Sequence, residues 1–99
     1  MTPYRLHIHS DHEITPAAAT ELAAVLERAR RHTQRAGLYA THRVTGPESW
    51  CAEVRRQVEA DRYRHATTRW WEEGEPHALI CWGEVPEGLE GVPVVEVRP

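Results

Sequence analysis

A long amphipathic segment between two alternating segments constrains the fold of this 99-residue chain more than any other feature. Thr15 followed by proline is typical of a helix N-cap and first helical position. From Pro16 to Ala36 apolar residues recur at three- and four-residue steps, and Gly37 is typical of a helix end. Tyr4 to His9 before this helix, and Leu38 to Val44 after it, alternate apolar and polar residues as half-buried strands do. The sequence therefore predicts a β-α-β unit.

The second half of the chain predicts one shorter helix and three further strands. Thr45-Gly46-Pro47-Glu48 is a helix start, and apolar residues one turn apart continue the helix to about Ala60. Arg62 to Trp71 is predicted to be a strand, although neither of its sides is cleanly apolar. His77 to Gly83 is a nearly continuous apolar run, and we expect it to form an antiparallel hairpin with Arg62–Trp71. Val92 to Val97 is predicted to be a last strand, which Pro93 favours at a sheet edge.

The predicted order is thus β-α-β-α-β-β-β. Residues 1–99 are expected to form a single small α+β domain in which two helices pack on one face of a mixed sheet. The other sheet face would then be left to solvent or to a partner. We expect this face to be the binding face and assign to it Arg5, His7, His9, Arg43, Arg69 and Trp70.

Composition limits the protein class. With 40% hydrophobic and 27% charged residues the chain is in the ordinary soluble globular range. No apolar run is long enough for a membrane span and no secretory leader is recognisable, so we expect a cytoplasmic protein that does not bind membranes. Cys51 and Cys81 fit no metal-ligand spacing, and we expect both to be free, buried thiols.

Charge is distributed unevenly along the chain, whose net charge is −3. Arg28, Arg30, Arg31, Arg35 and Arg43 follow one another without an acid, whereas residues 72–98 carry seven glutamates and only Arg98. Two solvated faces of opposite sign are one interpretation. The other is that the basic patch of one copy contacts the acidic patch of the next.

A histidine cluster is the candidate metal site. His7 and His9 would point to the same side of the first strand, and Asp11 and His12 follow in the adjoining loop. This His-x-His-x-Asp-His pattern resembles the metal-binding signature of the metallo-β-lactamase superfamily, which implies a divalent metal such as zinc or manganese and hydrolytic activity. The family pattern lies deep in a longer chain with further ligands downstream, whereas here it begins at residue 7. His42 could join His7 and His9 if the first two strands are neighbours.

The same region also resembles the opening of the polymerase-and-histidinol-phosphatase phosphoesterases. The resemblance is carried by Leu6 to Asp11, Thr15-Pro16, the helix end at Ala36-Gly37-Leu38, and Thr41-His42 before Gly46. It implies a metal-dependent phosphoesterase. The spacer before Ser10-Asp11, the glycine after it and the aspartate between Thr41 and His42 are missing, and the family's barrel needs a much longer chain.

Four tryptophans support a nucleic-acid hypothesis. Trp70, Trp71 and Trp82, interleaved with Arg62, Arg64 and Arg69, could form a sheet face on which bases stack. The competing interpretation is that tryptophans fill a core that contains no phenylalanine. The acidic net charge favours this second interpretation.

The function we favour from the sequence is a non-enzymatic protein-binding or assembly module without a cofactor. It would contact a protein partner or further copies of itself through the open sheet face and an exposed strand edge, using the arginine and tryptophan side chains that interfaces favour. Its size would suit an accessory protein, for example of a phage particle or an anti-defence complex. A hydrolase using His7, His9, Asp11 and His12, and a nucleic-acid-binding regulator, remain the alternatives.

Overall fold

The computed structural model describes residues 2–60 and 69–98. Within these residues, two helices and five strands follow the predicted order: β1 (Thr2–Ser10), α1 (Pro16–Arg35), β2 (Leu38–Thr45), α2 (Glu48–Ala60), β3 (Arg69–Trp70), β4 (Ala78–Trp82) and β5 (Val94–Arg98). The predicted α+β class is therefore confirmed. Most of the strand predicted over Arg62–Trp71 lies outside the described residues, which include only its last three positions.

The five strands form one sheet in the order β3-β2-β1-β4-β5, and every pairing is parallel. The predictions of a mixed sheet and of an antiparallel hairpin were therefore wrong. All five residues of β4 are buried, so this strand needs neighbours on both edges and cover on both faces. It obtains them between β1 and β5, whereas a hairpin would leave it beside the short strand β3.

The start of β4 is held against β1 by contacts distant in sequence. The backbone N–H of Arg5 donates to Nδ1 of His77 at 2.8 Å, and the His77 N–H donates to the Arg5 carbonyl at 2.8 Å. The Arg5 Nε also donates to the carbonyl of Glu75. These bonds fix the segment between Trp71 and His77 as a crossing from the end of β3 to the start of β4.

Helix α1 begins and ends where its sequence predicts. The Thr15 hydroxyl accepts a hydrogen bond from the Ala18 N–H at 3.1 Å, which satisfies one of the free donors of the first turn. At the other end Gly37 adopts a φ of +72°, a conformation that glycine adopts without strain. The helix is therefore capped at both ends by its own sequence.

Both helices pack on the same face of the sheet. Leu6 and Ile8 of β1 and the in-register Ala78 and Ile80 of β4 lie on this face, each at most 1% exposed. The helices contribute Leu22, Val25, Ala29, Trp50, Val54 and Val58 to the same cluster. The predicted inward orientation of Leu6 and Ile8, and the placement of two helices on one face, are confirmed.

The opposite face is less open than we expected. His7 is 7% exposed, and Leu79 and Cys81 are fully buried although their side chains point away from the helices. Trp71 provides part of the cover, because its indole Nε1–H donates to the Leu6 carbonyl at 3.3 Å and its ring meets that of His7 edge to face. Neither helix of the described residues lies on this side, where the crossing segment after β3 takes over part of the covering role.

Candidate functional site

A chain of polar side chains connects the carboxyl ends of β1 and β2. His9 and Thr45 occupy paired positions of these neighbouring strands. The Thr45 Oγ1 lies 2.7 Å from Nε2 of His7 and 2.7 Å from Nδ1 of His9. On its other side, His9 Nε2 lies 3.0 Å from Oδ1 of Asp11. His7, Thr45, His9 and Asp11 therefore form one continuous network, which we call the His–Thr relay.

When both imidazoles are neutral, one arrangement of protons gives every hydrogen bond of the His–Thr relay a donor and an acceptor. Asp11 is a carboxylate that accepts from the Glu84 N–H at 2.6 Å, so His9 Nε2 carries the proton facing it. His9 Nδ1 is then an acceptor for the Thr45 hydroxyl. The remaining lone pair of that hydroxyl accepts from a protonated Nε2 of His7. In this arrangement each histidine carries its proton on Nε2.

The electrostatics of the relay support this assignment. The pKa of His7 is lowered from 6.5 to about 4, chiefly by burial and in smaller part by the electrostatic effects of Arg43 and His9. The hydrogen bond from His9 and then that from the Glu84 amide lower the pKa of Asp11. At neutral pH His7 is therefore uncharged and Asp11 is ionised.

The four candidate metal ligands, His7, His9, Asp11 and His12, are not grouped around one point. His7 and His9 both direct a nitrogen to the Thr45 hydroxyl, whereas Asp11 is bonded to the opposite nitrogen of His9. Within residues 2–60 and 69–98 there is no group of three or more His, Cys, Asp or Glu side chains that could hold one metal ion. His12 is exposed, and its backbone rather than its imidazole is bonded to the Ser10 hydroxyl.

His42 does not join this group, contrary to the expectation from sequence. The first two strands are neighbours as that expectation required, but His42 is in register with Leu6 and so faces the helices. Its ring contacts that of Trp70 instead, with centroids 5.9 Å apart. The relevant residue of β2 is Thr45, which sequence reasoning missed because its proximity to His9 depends on the parallel register of the two strands.

The residues assigned to the binding face lie on both sides of the sheet. Arg5, His7, His9 and Arg43 share the side opposite the helices, where the Arg43 guanidinium lies 4.7 Å from the centre of the Trp71 ring. Trp70 lies on the helix side, where it packs against the core and carries Arg55 at 4.5 Å over its ring. For Arg69 the described feature is its backbone pairing with Thr41.

Three of the four tryptophans are core residues. Trp50, Trp71 and Trp82 are at most 8% exposed, and Trp50 and Trp82 contact one another with ring centroids 5.4 Å apart. Their role as core filler is confirmed. Trp70 is half-buried beneath Arg55. Trp71 and Trp82, two of the three rings in the stacking surface of the nucleic-acid hypothesis, would therefore have to leave the core.

Part of the charge asymmetry is neutralised within the chain. Arg28 on α1 and Glu96 on β5 form an ion pair with 3.3 Å between Nη2 and Oε1. Arg30 and Arg31 both bond to Glu27, one turn earlier on the same helix. Three of the five arginines in the basic segment thus have acidic neighbours in their own chain.

Three of the four large hydrophobic side chains that are exposed among the described residues belong to β5, at one edge of the sheet. Val94, Val95 and Val97 are 43%, 49% and 50% exposed. The register with β4 shifts between Leu79 and Ile80, so that Val95 has no paired position in β4. One edge of β5 pairs with β4, and no strand of residues 2–60 and 69–98 pairs with the other edge, where a strand offers backbone groups to another chain.

Neither α1 nor α2, the helices of the described residues, is both long and apolar enough to cross a membrane.

The comparisons with family models, curated proteins and solved structures gave no match for this chain.

Proposed function

We propose that this protein is a self-associating protein-binding module, in which β5 of one copy pairs with β5 of a second copy. The observation that carries the proposal is the edge position of β5 together with its three valines, each 43–50% exposed. Valine has high strand propensity, and pairing would cover apolar side chains and backbone groups at once. The expected product is one sheet that continues across two chains.

The second copy is favoured as the partner by symmetry. A two-fold axis brings the same edge of both chains together and makes the two β5 strands antiparallel, so a single surface patch is enough. The net charge of −3 is small and opposes association weakly. Pairing with β4 already holds β5 in an extended form before it meets a second copy.

Light scattering coupled to size exclusion over a range of protein concentrations tests this proposal. We expect the mass to rise with concentration toward twice the chain mass of 11.4 kDa. Val97→Lys should shift the protein to the monomer, because a lysine on an edge strand opposes pairing. Val85→Lys is the matched control, since Val85 is also exposed, at 37%, but lies in the connection before β5. A wild-type monomer at high micromolar concentration would contradict the proposal.

A further inference from the structure

Asp11, His9 and Thr45 present a carboxylate, an imidazole and a hydroxyl in that order within the His–Thr relay. The Oδ1 of Asp11 lies 3.0 Å from Nε2 of His9, and Nδ1 of His9 lies 2.7 Å from the Thr45 Oγ1. Both distances are within hydrogen-bond range. An imidazole held between a carboxylate and a hydroxyl is the arrangement by which enzymes activate a hydroxyl as a nucleophile. The relay therefore contains a nucleophile, its base and a group that positions the base.

The hydrogen bonds of Asp11 orient His9 for this chemistry. One carboxylate oxygen accepts from His9 Nε2, and the other accepts from the Glu84 N–H at 2.6 Å. A Cβ on Gly83 would lie 2.5 Å from that second oxygen, so a glycine is needed for the carboxylate to come this close to the backbone. With its proton on Nε2, His9 presents a bare Nδ1 to the Thr45 hydroxyl. This nitrogen is the one that can take up the hydroxyl proton.

The reacting groups are held in place and are still partly open to solvent. Thr45 and His9 are half-buried at the carboxyl ends of their strands, and Asp11 is exposed. The rings of His7 and His9, with centroids 6.4 Å apart, both direct a nitrogen to the Thr45 oxygen. We therefore expect a small acyl group to reach this oxygen more readily than a bulky one.

Two further groups lie beside the oxygen that would attack. Nε2 of His7 is 2.7 Å from the Thr45 Oγ1 and carries a proton in the arrangement described above. Arg43 precedes Thr45 by two positions on β2, so its side chain leaves the same side of the sheet, where its guanidinium lies over Trp71. An N–H donor and a nearby positive charge stabilise the negative oxygen that forms when a nucleophile attacks a carbonyl group.

We propose that the His–Thr relay hydrolyses esters of small carboxylic acids, with Thr45 as the nucleophile and His9 as its base. The Thr45 Oγ1 attacks the carbonyl carbon and forms a C–O bond, while its proton passes to Nδ1 of His9. The bond to the leaving alcohol then breaks, and the alcohol oxygen takes that proton from His9. The product of this first step is an acyl-threonine.

Water completes the reaction. It attacks the acyl carbon and gives a proton to Nδ1 of His9, and the bond to Thr45 breaks as Oγ1 recovers that proton and the carboxylic acid leaves. His7 donates to the carbonyl oxygen in both steps. Asp11 is a positioning residue, because it keeps the proton of the resting imidazole on Nε2. Since β4 lies between β1 and β5, this activity does not depend on self-association through β5.

p-Nitrophenyl acetate is the probe, because its leaving group is followed by absorbance. The threonine ester is less activated than the nitrophenyl ester, so the acetyl group should accumulate on Thr45, where peptide mapping by mass spectrometry locates it after an acid quench. Thr45→Ser should retain hydrolysis, whereas Thr45→Val should lower its rate about tenfold or more. Acetylation of other residues without Thr45, or hydrolysis by Thr45→Val at the wild-type rate, overturns the proposal.

Asp11→Asn and His32→Gln are a matched pair of exposed substitutions that separate the relay from reaction at surface imidazoles. An asparagine amide can donate to His9 Nε2 and so move the ring proton to Nδ1, which should lower kcat about tenfold or more with KM unchanged. His32 is exposed in the last turn of α1, and its replacement should leave kcat unchanged. Val97→Lys should also keep the wild-type kcat. Unchanged kcat in Asp11→Asn, or an equal loss in His32→Gln, overturns the proposal.

Discussion

The hydroxyl of Thr45 lies 2.7 Å from Nδ1 of His9 and is thereby the link between β1 and β2 at their carboxyl ends. The same oxygen lies 2.7 Å from Nε2 of His7. Two imidazoles and a carboxylate therefore depend on one threonine for the continuity of their hydrogen bonds. This dependence leads to the first prediction.

Thr45→Val should destabilise the fold by about 1–3 kcal/mol, because valine keeps the shape of the side chain but leaves His7 Nε2 and His9 Nδ1 without a partner in a largely buried place. Urea unfolding followed by tryptophan fluorescence measures the change. Thr20→Val is the control, since Thr20 is exposed on α1 and its hydroxyl donates to the Pro16 carbonyl of the preceding turn. Equal losses in both variants would mean that the relay contributes nothing of its own.

The second prediction concerns pH. The pKa of His7 is about 4 in the folded protein and 6.5 in the unfolded chain. Between these pH values, the unfolded chain therefore binds a proton at His7 that the folded chain does not bind. The free energy of unfolding should therefore be highest above pH 6.5 and fall by about 1 kcal/mol per pH unit toward pH 4. His7→Gln can still donate to Thr45 but does not titrate, so it should flatten this slope. An unchanged slope in His7→Gln would assign the pH dependence to other groups.

The third prediction concerns the close approach of β1 and β2 after the relay. Gly46 has a φ of +133°, and a Cβ there would lie 2.4 Å from the Ser10 carbonyl oxygen, a backbone atom that cannot move independently. Gly46→Ala should cost several kcal/mol, on the order of 3, from strain and overpacking together. Gly91→Ala, with nothing within 4 Å of its added Cβ, should change stability by less than about 0.5 kcal/mol. Thermal and urea unfolding of the two variants check the difference.

The fourth prediction concerns the ion pair between Arg28 and Glu96, which stabilises a single chain and is not expected to hold two copies together. Glu96→Gln removes the ion pair with Arg28, an exposed contact at 3.3 Å whose loss should cost less than about 1 kcal/mol. Because the proposed self-association rests on the valines of β5, this variant should still reach the dimer mass in light scattering. Complete loss of the dimer in Glu96→Gln, with stability unchanged, would indicate that charge rather than apolar pairing holds the copies together.

Local patterns in the sequence predicted the local structure well. The Thr15 cap, the apolar stripe of α1, and the inward side of Leu6 and Ile8 each depend on neighbours within a few residues, which the sequence displays directly. Whether β4 pairs parallel or antiparallel with its neighbours was not predictable in this way. The run Ala78–Trp82 is apolar throughout, and its pattern does not distinguish the two kinds of pairing. Its parallel pairing is fixed by contacts between Arg5 and His77, 72 residues apart.

In the candidate site, too, the sequence predicted what depends on one strand and not what depends on the pairing of two strands. Alternation along β1 correctly grouped His7 with His9, but grouping across strands requires the register. The pairing of His9 with Thr45, and of Leu6 with His42, brings Thr45 into the relay and sends His42 to the helix side. Trp70 and Arg43, assigned to one face from sequence, lie on opposite sides for the same reason.

Amide hydrogen exchange of β5 at two protein concentrations tests the proposed pairing of two copies most directly. If β5 pairs with β5, the amides of Val94–Arg98 that face the sheet edge should exchange more slowly at the higher concentration, while the amides of α1 should not change. Val97→Lys should abolish this dependence, and Val85→Lys should preserve it. Exchange of the β5 amides at the same rate at both concentrations, in a sample that light scattering identifies as a dimer, would contradict pairing through this edge.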